Sequence, residues 1–302
     1  MNKCFVLNWT VPESEEGKLL REFLVEQEIS KAALTDIKFK GGNLLVNDEV
    51  VTVRYRLKLG DKIEVRFPPE EPSAGIQPER IPIDILYEDS YLLVLNKPAN
   101  MNTIPSREHP NGSLANAIIG YYQKTGIQAT THIVTRLDRD TSGIVVIAKH
   151  RHVHHLMSKQ QKTGTLQRVY EAFAEGYFQN LKGIVEKPIA RKKTSIIERE
   201  VSTEGQYAYT SYQVLQQFDD FCYLQLKLKT GRTHQIRVHM SYINHPLLGD
   251  GLYGGNNNRI ARQALHCHAV QFIHPIHHNR MDFTAPLPID MKNILMQSKP
   301  LV

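Results

Sequence analysis

The sequence predicts an α+β protein in which a small N-terminal α/β module precedes a larger domain built on a largely antiparallel, mixed sheet. Three observations carry this reading. The chain has 302 residues, enough for about two domains at roughly 150 residues each. Residues 68–82, PPEEPSAGIQPERIP, hold five prolines without apolar periodicity, which reads as an extended interdomain linker. Beyond it, alternating strand-like segments joined by short turns outnumber the helical ones, the pattern of antiparallel pairing.

Residues 13–67 form the first unit. KLLREFLVEQ spaces Leu20, Phe23, Leu24 and Gln27 as a short amphipathic helix. In ISKAALTDIKFKGG, Ser30 is the expected N-cap, Ala33, Leu34 and Ile37 share one face, and Gly41-Gly42 end the helix. NLLVNDEVV reads as strand, Asn-Asp turn, strand, and LGDKIEVRF as a turn into an alternating strand. In residues 83–302, strands are expected in IDILYED, YLLVLNKP, HIVTRL, GIVVIAK, RVYEAFAEGYF, AYTSYQVLQQF, FCYLQLKLKT and LHCHAVQFIHP. Helices are expected near SLANAIIGYYQKTG, RHVHHLMSKQQ and THQIRVHMSYI.

A formal net charge of +6 suits a polyanionic partner without demanding one. Residues 31–67 concentrate positive charge, with Lys31, Lys38, Lys40, Arg54 and Arg56 among eight basic residues against five acidic ones. That surface can meet phosphates; the plainer reading is a solvated face. Three scattered cysteines, Cys4, Cys222 and Cys267, make no disulfide framework. The opening residues lack a signal-peptide core, and no apolar run nears the roughly 18 residues of a membrane span. A cytoplasmic protein with no membrane association is expected.

The densest chemistry lies in THIVTRLDRDTSGIVVIAK, residues 131–149. Arg136, Asp138, Arg139 and Asp140 exceed what a hairpin needs. The flanking arginines favour ionised carboxylates, which suits a nucleophile or a structural ion pair better than a general acid. In TGRTHQIRVHM, Thr230, Arg232, Thr233 and the amides of the following helical turn suggest an anion site, and His234, Arg237 and Ser241 share one helix side. GDGLYG matches a dinucleotide fingerprint in spacing only, because Pro246 precedes it and no acid lies near position 274. The histidine groups RHVHH, HCH and HPIHH lack a recognised zinc pattern. Tyr170, alone, reads as a core aromatic in an alternating strand.

Together, ILYEDSYLLVLNKPANM, TRLDRDTSGIVVIAK, QRVYEAFAEG, LKTGRTHQIRVHMSYINHPLLGDGLYG and ALHCHAVQFIHP, in this order, resemble the RluA-type RNA pseudouridine synthases over nearly the whole chain. Residues 13–67 resemble the S-four-type RNA-binding module often fused in front of that catalytic domain. The resemblance implies that Asp138 is the catalytic aspartate, Tyr170 the tyrosine stacked on the base, and Arg237 the basic partner of the aspartate. It further implies that Arg136 fills the space of a flipped base and that Leu265 packs on the uracil. Structured RNA, ribosomal before transfer RNA, is then the expected partner of a monomeric enzyme that needs no cofactor. Two departures stand out: Thr135 where histidine is usual, and Asn100 where glycine is usual. A non-catalytic RNA-binding or ribosome-assembly factor, and a metal-dependent hydrolase using the histidines, are the competing readings.

Overall fold

The computed structural model describes residues 5–70 and 75–301; Cys4 and positions 71–74 of the proline-rich segment lie outside them. The front of the chain folds as a four-stranded antiparallel sheet. Its strands are β1 (Val6–Thr10), β2 (Asn43–Val46), β3 (Glu49–Val50) and β4 (Lys62–Arg66), in the order β1-β4-β2-β3. Helices α1 (Leu20–Glu26) and α2 (Lys31–Phe39) bury Leu20, Phe23, Leu24 and Ile37 against it. Ser30 caps α2, its hydroxyl accepting the Ala33 N–H at 3.1 Å. Asn47 and Asp48 both take left-handed backbone, φ 51° and 67°, the geometry that lets a two-residue turn follow strand twist. Strand β1 precedes the 13–67 span, yet it pairs with β4 along its whole length.

The second unit contains β5 (Asp84–Glu88), β6 (Leu92–Lys97), α3 (Leu114–Thr125), β7 (His132–Ile133), β8 (Ser142–Ala148), α4 (Arg151–Thr163) and β9 (Gln167–Glu175). After these come β10 (Lys182–Glu186), β11 (Ile189–Arg191), β12 (Arg199–Val201), β13 (Tyr209–Gln217), β14 (Phe221–Leu228), α5 (Gln235–Tyr242), β15 (Leu265–Ile273), β16 (Arg280–Thr284) and α6 (Ile289–Gln297). The large sheet runs β10-β13-β14-β9-β15-β8-β6-β5, with β16 on β15 and β7 on β8. Every pairing is antiparallel except β15 with β8. Strand β8 is buried at every residue, as expected of a continuous apolar run covered on both faces.

The parallel junction organises the site. Across it Tyr170, Cys267 and Gly143 are register neighbours on β9, β15 and β8. Gly143 has φ 115°, and a Cβ there would lie 2.3 Å from the Cys267 carbonyl oxygen. Only glycine permits so close an approach.

Some elements differ from the sequence expectation. The strand HIVTRL stops at Ile133. Thr135 turns the chain away, its hydroxyl accepting the Val146 N–H at 3.0 Å while its own amide donates to the Val146 carbonyl. Strands β10 to β12 and helix α6 carry no expectation from the sequence, because each buries at most two side chains and shows little periodicity. Beyond position 75 the proline-rich segment is tied to the second unit. Asn116 donates to the Gln77 carbonyl at 2.8 Å, and the Glu79 carboxylate accepts the Gly112 N–H at 2.8 Å. Among the described residues no helix is long and apolar enough to cross a membrane.

The two units meet through α4. Arg151 pairs with Asp36, Lys159 with Glu28 at 2.8 Å, and Phe5 stacks on His150 at 4.0 Å. Burial holds His150 down to about 3, despite Glu70 nearby, and His152 down to about 4. Their unfolded values lie near 6.5. Below that pH the unfolded chain takes up protons that the folded chain refuses. Stability is therefore complete above about pH 6.5, and each group withdraws up to about 1.4 kcal/mol per pH unit as the pH falls toward its folded value. Urea midpoints measured from pH 7.5 to 4.5 are expected to fall, and His152→Gln to flatten the slope. An unchanged slope in the variant would refute the assignment.

Candidate active site

The loop between β7 and β8 presents Asp138. Its carbonyl accepts the Thr141 N–H at 3.1 Å, closing a turn. The preceding residue, Leu137, is held on both sides by Thr103, whose hydroxyl donates to the Leu137 carbonyl at 2.7 Å and accepts its N–H at 3.2 Å. Behind the loop, the buried Lys97 ammonium donates to the carbonyls of Pro98, Met101 and Arg139 at 2.7, 2.8 and 3.1 Å. Burial lowers Lys97 to about 7. The Asn-Lys-Pro segment thus serves as the loop's scaffold. Asn100 has φ 59° and accepts from Arg139 at 2.8 Å. The position demands left-handed backbone, where asparagine is the best tolerated substitute for glycine. Arg139 and Asp140 point to loop support, the Asp140 carbonyl accepting from Arg262 at 3.0 Å.

Helix α5 supplies the opposite wall. Arg237, 7% exposed, donates through Nε and Nη2 to the two Asp250 oxygens, each at 2.7 Å. Its remaining Nη1 lies 3.4 Å from Asp138 Oδ2. Burial works against the Arg237 charge, but the Asp250 bonds and the field of Asp138 outweigh it and hold its pKa above the ordinary arginine value. Asp250 is placed by Gly249, whose φ is 75° and whose Cβ would fall 1.9 Å from the Arg262 carbonyl oxygen. His234 Nε2 lies 3.9 Å from Asp138 Oδ2.

At the start of α5, Gln235 turns into the suggested anion site. Its buried side-chain oxygen accepts from Thr230 Oγ1 at 2.8 Å and from the Arg232 N–H at 3.0 Å. A neutral amide therefore already occupies two of the donors an anion there would use. Arg232 itself is exposed, its Nε donating to the Tyr207 carbonyl at 3.0 Å.

A cleft of about 420 Å³ is lined by Arg136, Asp138, Tyr170, Arg232, His234, Arg237 and Leu265 together. These seven residues were singled out from segments up to 129 positions apart, and the fold brings them to one place. Tyr170 and Leu265 are each 4% exposed and form its apolar wall. Burial raises the Tyr170 phenol above its ordinary value. Arg136 is exposed at the cleft. Arg168 also lines it, nearly buried, and its guanidinium makes no hydrogen bond or ion pair among the described residues. Lys31, Lys38, Lys40, Arg54 and Arg56 do not reach this cleft; all five are exposed on the front unit. Lys40 pairs with Asp36 at 2.9 Å, and Arg56 donates to the Gly17 carbonyl at 3.2 Å.

Sequence reasoning missed Asp250 and Tyr253. Their signal was GDGLYG, set aside as a nucleotide motif; here it forms a short turn whose side chains serve Arg237 and His234. The histidine groups have structural partners. Ser142 Oγ meets His266 Nδ1 at 2.9 Å. Asp89, His274 and His277 form the one group among the described residues with three ligand-type atoms within 4.8 Å. However, His274 Nδ1 accepts the N–H groups of Ile276 and His277, so its Nε2 proton points at Asp89, 2.8 Å away. That arrangement is satisfied by hydrogen bonds alone.

The chain belongs to the RNA pseudouridylate synthase family, whose model matches residues 91–242, the span that contains Asp138, Tyr170 and Arg237. Its relatives are of the RluA type. It is 52% identical over 276 residues to the uncharacterized RNA pseudouridine synthase YjbO of Bacillus subtilis, covering 91% of this chain and 98% of that one. It is 33% identical over 306 residues to ribosomal large subunit pseudouridine synthase D of Escherichia coli K12, covering 96% and 93%. The solved structure of human RNA pseudouridylate synthase domain containing 1 shares the fold, with a TM-score of 0.61 at 22% identity over 77% of this chain and 92% of that one.

Proposed function

We propose that this RNA pseudouridine synthase acts on specific uridines of large-subunit ribosomal RNA, that Asp138 is the essential group, and that the uridine is flipped out of its stack to reach it. The observation that carries the reading is the Asp138 carboxylate, 3.4 Å from Arg237 Nη1, in a cleft whose apolar wall is Tyr170 and Leu265. A uridine within folded RNA cannot offer its glycosidic bond to such a cleft without unstacking, at a cost of a few kcal/mol. Stacking on Tyr170, packing on Leu265, and Arg136 entering the space left behind offset that cost.

The reaction breaks the bond from ribose C1′ to uracil N1, turns the base, and joins its C5 to the same ribose carbon. N1 gains a proton and C5 loses one, so atoms and electrons balance without a cofactor. Asp138 starts cleavage as nucleophile or as base, with Arg237 stabilising its negative charge. Tyr170 stands beside the base to assist removal of the C5 proton.

The choice of ribosomal RNA is supported by the names of the synthase D relatives and by the exposed cations of residues 31–56, which suit phosphate contacts on a large structured RNA. We take residues 13–67, with β1 added, as an S-four-type RNA-binding module, residues 68–82 as its linker, and 83–302 as the catalytic domain. We take the enzyme as a monomer. The test is conversion of uridine to pseudouridine in ribosomal RNA transcripts at substoichiometric enzyme, together with site-resolved pseudouridine mapping in wild-type and deletion cells. Loss of discrete ribosomal sites on deletion is expected. Conversion confined to transfer RNA would overturn the substrate, and RNA binding without turnover would favour a non-catalytic assembly factor.

A further inference from the structure

We propose that Tyr253 is a positioning residue that sets the tautomer of His234 and so aims an N–H at the Asp138 carboxylate. The proposal rests on Asp138 being the reacting group.

The Tyr253 oxygen accepts the backbone N–H of Arg199 at 3.0 Å and lies 2.8 Å from His234 Nδ1. With the Arg199 N–H on one lone pair, and His234 Nδ1 the one acceptor beside the hydroxyl among the described residues, donation to Nδ1 is what satisfies the phenol proton within the protein. A neutral imidazole that accepts at Nδ1 carries its proton at Nε2. Nε2 is the nitrogen 3.9 Å from Asp138 Oδ2. Catalytic hydrogen bonds are often long before substrate binds and tighten in the complex. Burial, ahead of the opposing pull of Asp138, lowers the His234 pKa, which favours the neutral ring that the scheme requires.

Tyr253 also serves the other partner of Asp138. Its ring faces the Arg237 guanidinium at 5.0 Å, and its carbonyl accepts from Ser241 Oγ at 2.8 Å. Asp250, three residues earlier, holds Arg237. One short turn thus fixes both groups that approach Asp138, one as a full charge and one as a neutral donor. Strand β12, which supplies Arg199, gives the small β11–β12 hairpin a part in the same support.

Tyr253→Phe keeps the ring over Arg237 and removes only the hydroxyl. The expected result is a fall in kcat of about tenfold, the scale of one hydrogen bond, with KM for RNA unchanged. In a His234→Ala background the same change is expected to add nothing, because both variants break one chain of contacts. Nitrogen-15 spectra of the wild-type imidazole are expected to show protonated Nε2 and accepting Nδ1, and Tyr253→Phe to lose that preference. Wild-type kcat in Tyr253→Phe, additive losses, or a protonated Nδ1 in the wild type would each overturn the proposal. If Tyr253→Phe fails to fold, the wild-type spectrum still decides. Absence of turnover in the wild type would strike the functional reading, whereas the tautomer is judged without activity.

Discussion

Asp138→Ala is expected to lower uridine conversion by about 10⁴-fold or more, because a reacting group removed from a catalytic unit takes most of its rate with it. The fold is expected to survive. The Asp138 side chain is 27% exposed, and Arg237 keeps both 2.7 Å bonds to Asp250 when Asp138 is gone. RNA binding is expected to persist, since Arg136, Arg232 and the front-unit cations remain. Circular dichroism melts, filter binding and a conversion assay on one protein preparation separate these three outcomes. In cells carrying the variant, persistence of every pseudouridine, with no other enzyme covering those sites, would remove Asp138 from its role.

Asp250→Ala is expected to be the most damaging change outside the reacting group. It leaves a guanidinium that is only 7% exposed with the longer 3.4 Å contact to Asp138 in place of its two 2.7 Å bonds. Breaking a buried ion pair from one side costs about 3–5 kcal/mol, far more than deleting a surface pair. Arg237, freed from its two-point hold, no longer presents Nη1 to Asp138 in a fixed direction, so activity falls as well. The double variant Arg237→Met/Asp250→Ala removes the unpaired charge and is expected to regain much of the stability but none of the activity. Urea denaturation of the three proteins is the measurement. An Asp250→Ala protein as stable as the wild type would show that the pair does not support the fold as described.

The sequence exposed whatever depends on neighbours along the chain. The Ser30 cap, the Asn47-Asp48 turn and the buried run of β8 follow from backbone preference and local apolar pattern. The seven cleft residues were legible because ordered motifs, not any single residue, carried the resemblance. By local pattern alone Asp138 would have stayed an ion pair and Tyr170 a core aromatic. Tyr170 is in fact both part of the buried core and one of the residues lining the cleft, so the two readings were never exclusive.

Other features depend on partners far apart in sequence. Arg237 meets Asp138 across 99 positions, and Ser142 meets His266 across 124. Two donors of the anion site suggested before α5 are taken by Gln235, whose residue type says nothing about where its amide will turn. The same holds for GDGLYG, where spacing alone suggested a nucleotide loop and packing against α5 made it a brace. The chain by itself indicated most of the elements in order, the proposed reacting carboxylate and the apolar wall, because these follow from local preference and motif order. Tertiary structure alone decided which charges are paired, which donors are already satisfied and which histidine nitrogen faces Asp138. Hydrogen bonds are short and directional, and only the folded chain says which groups come within reach.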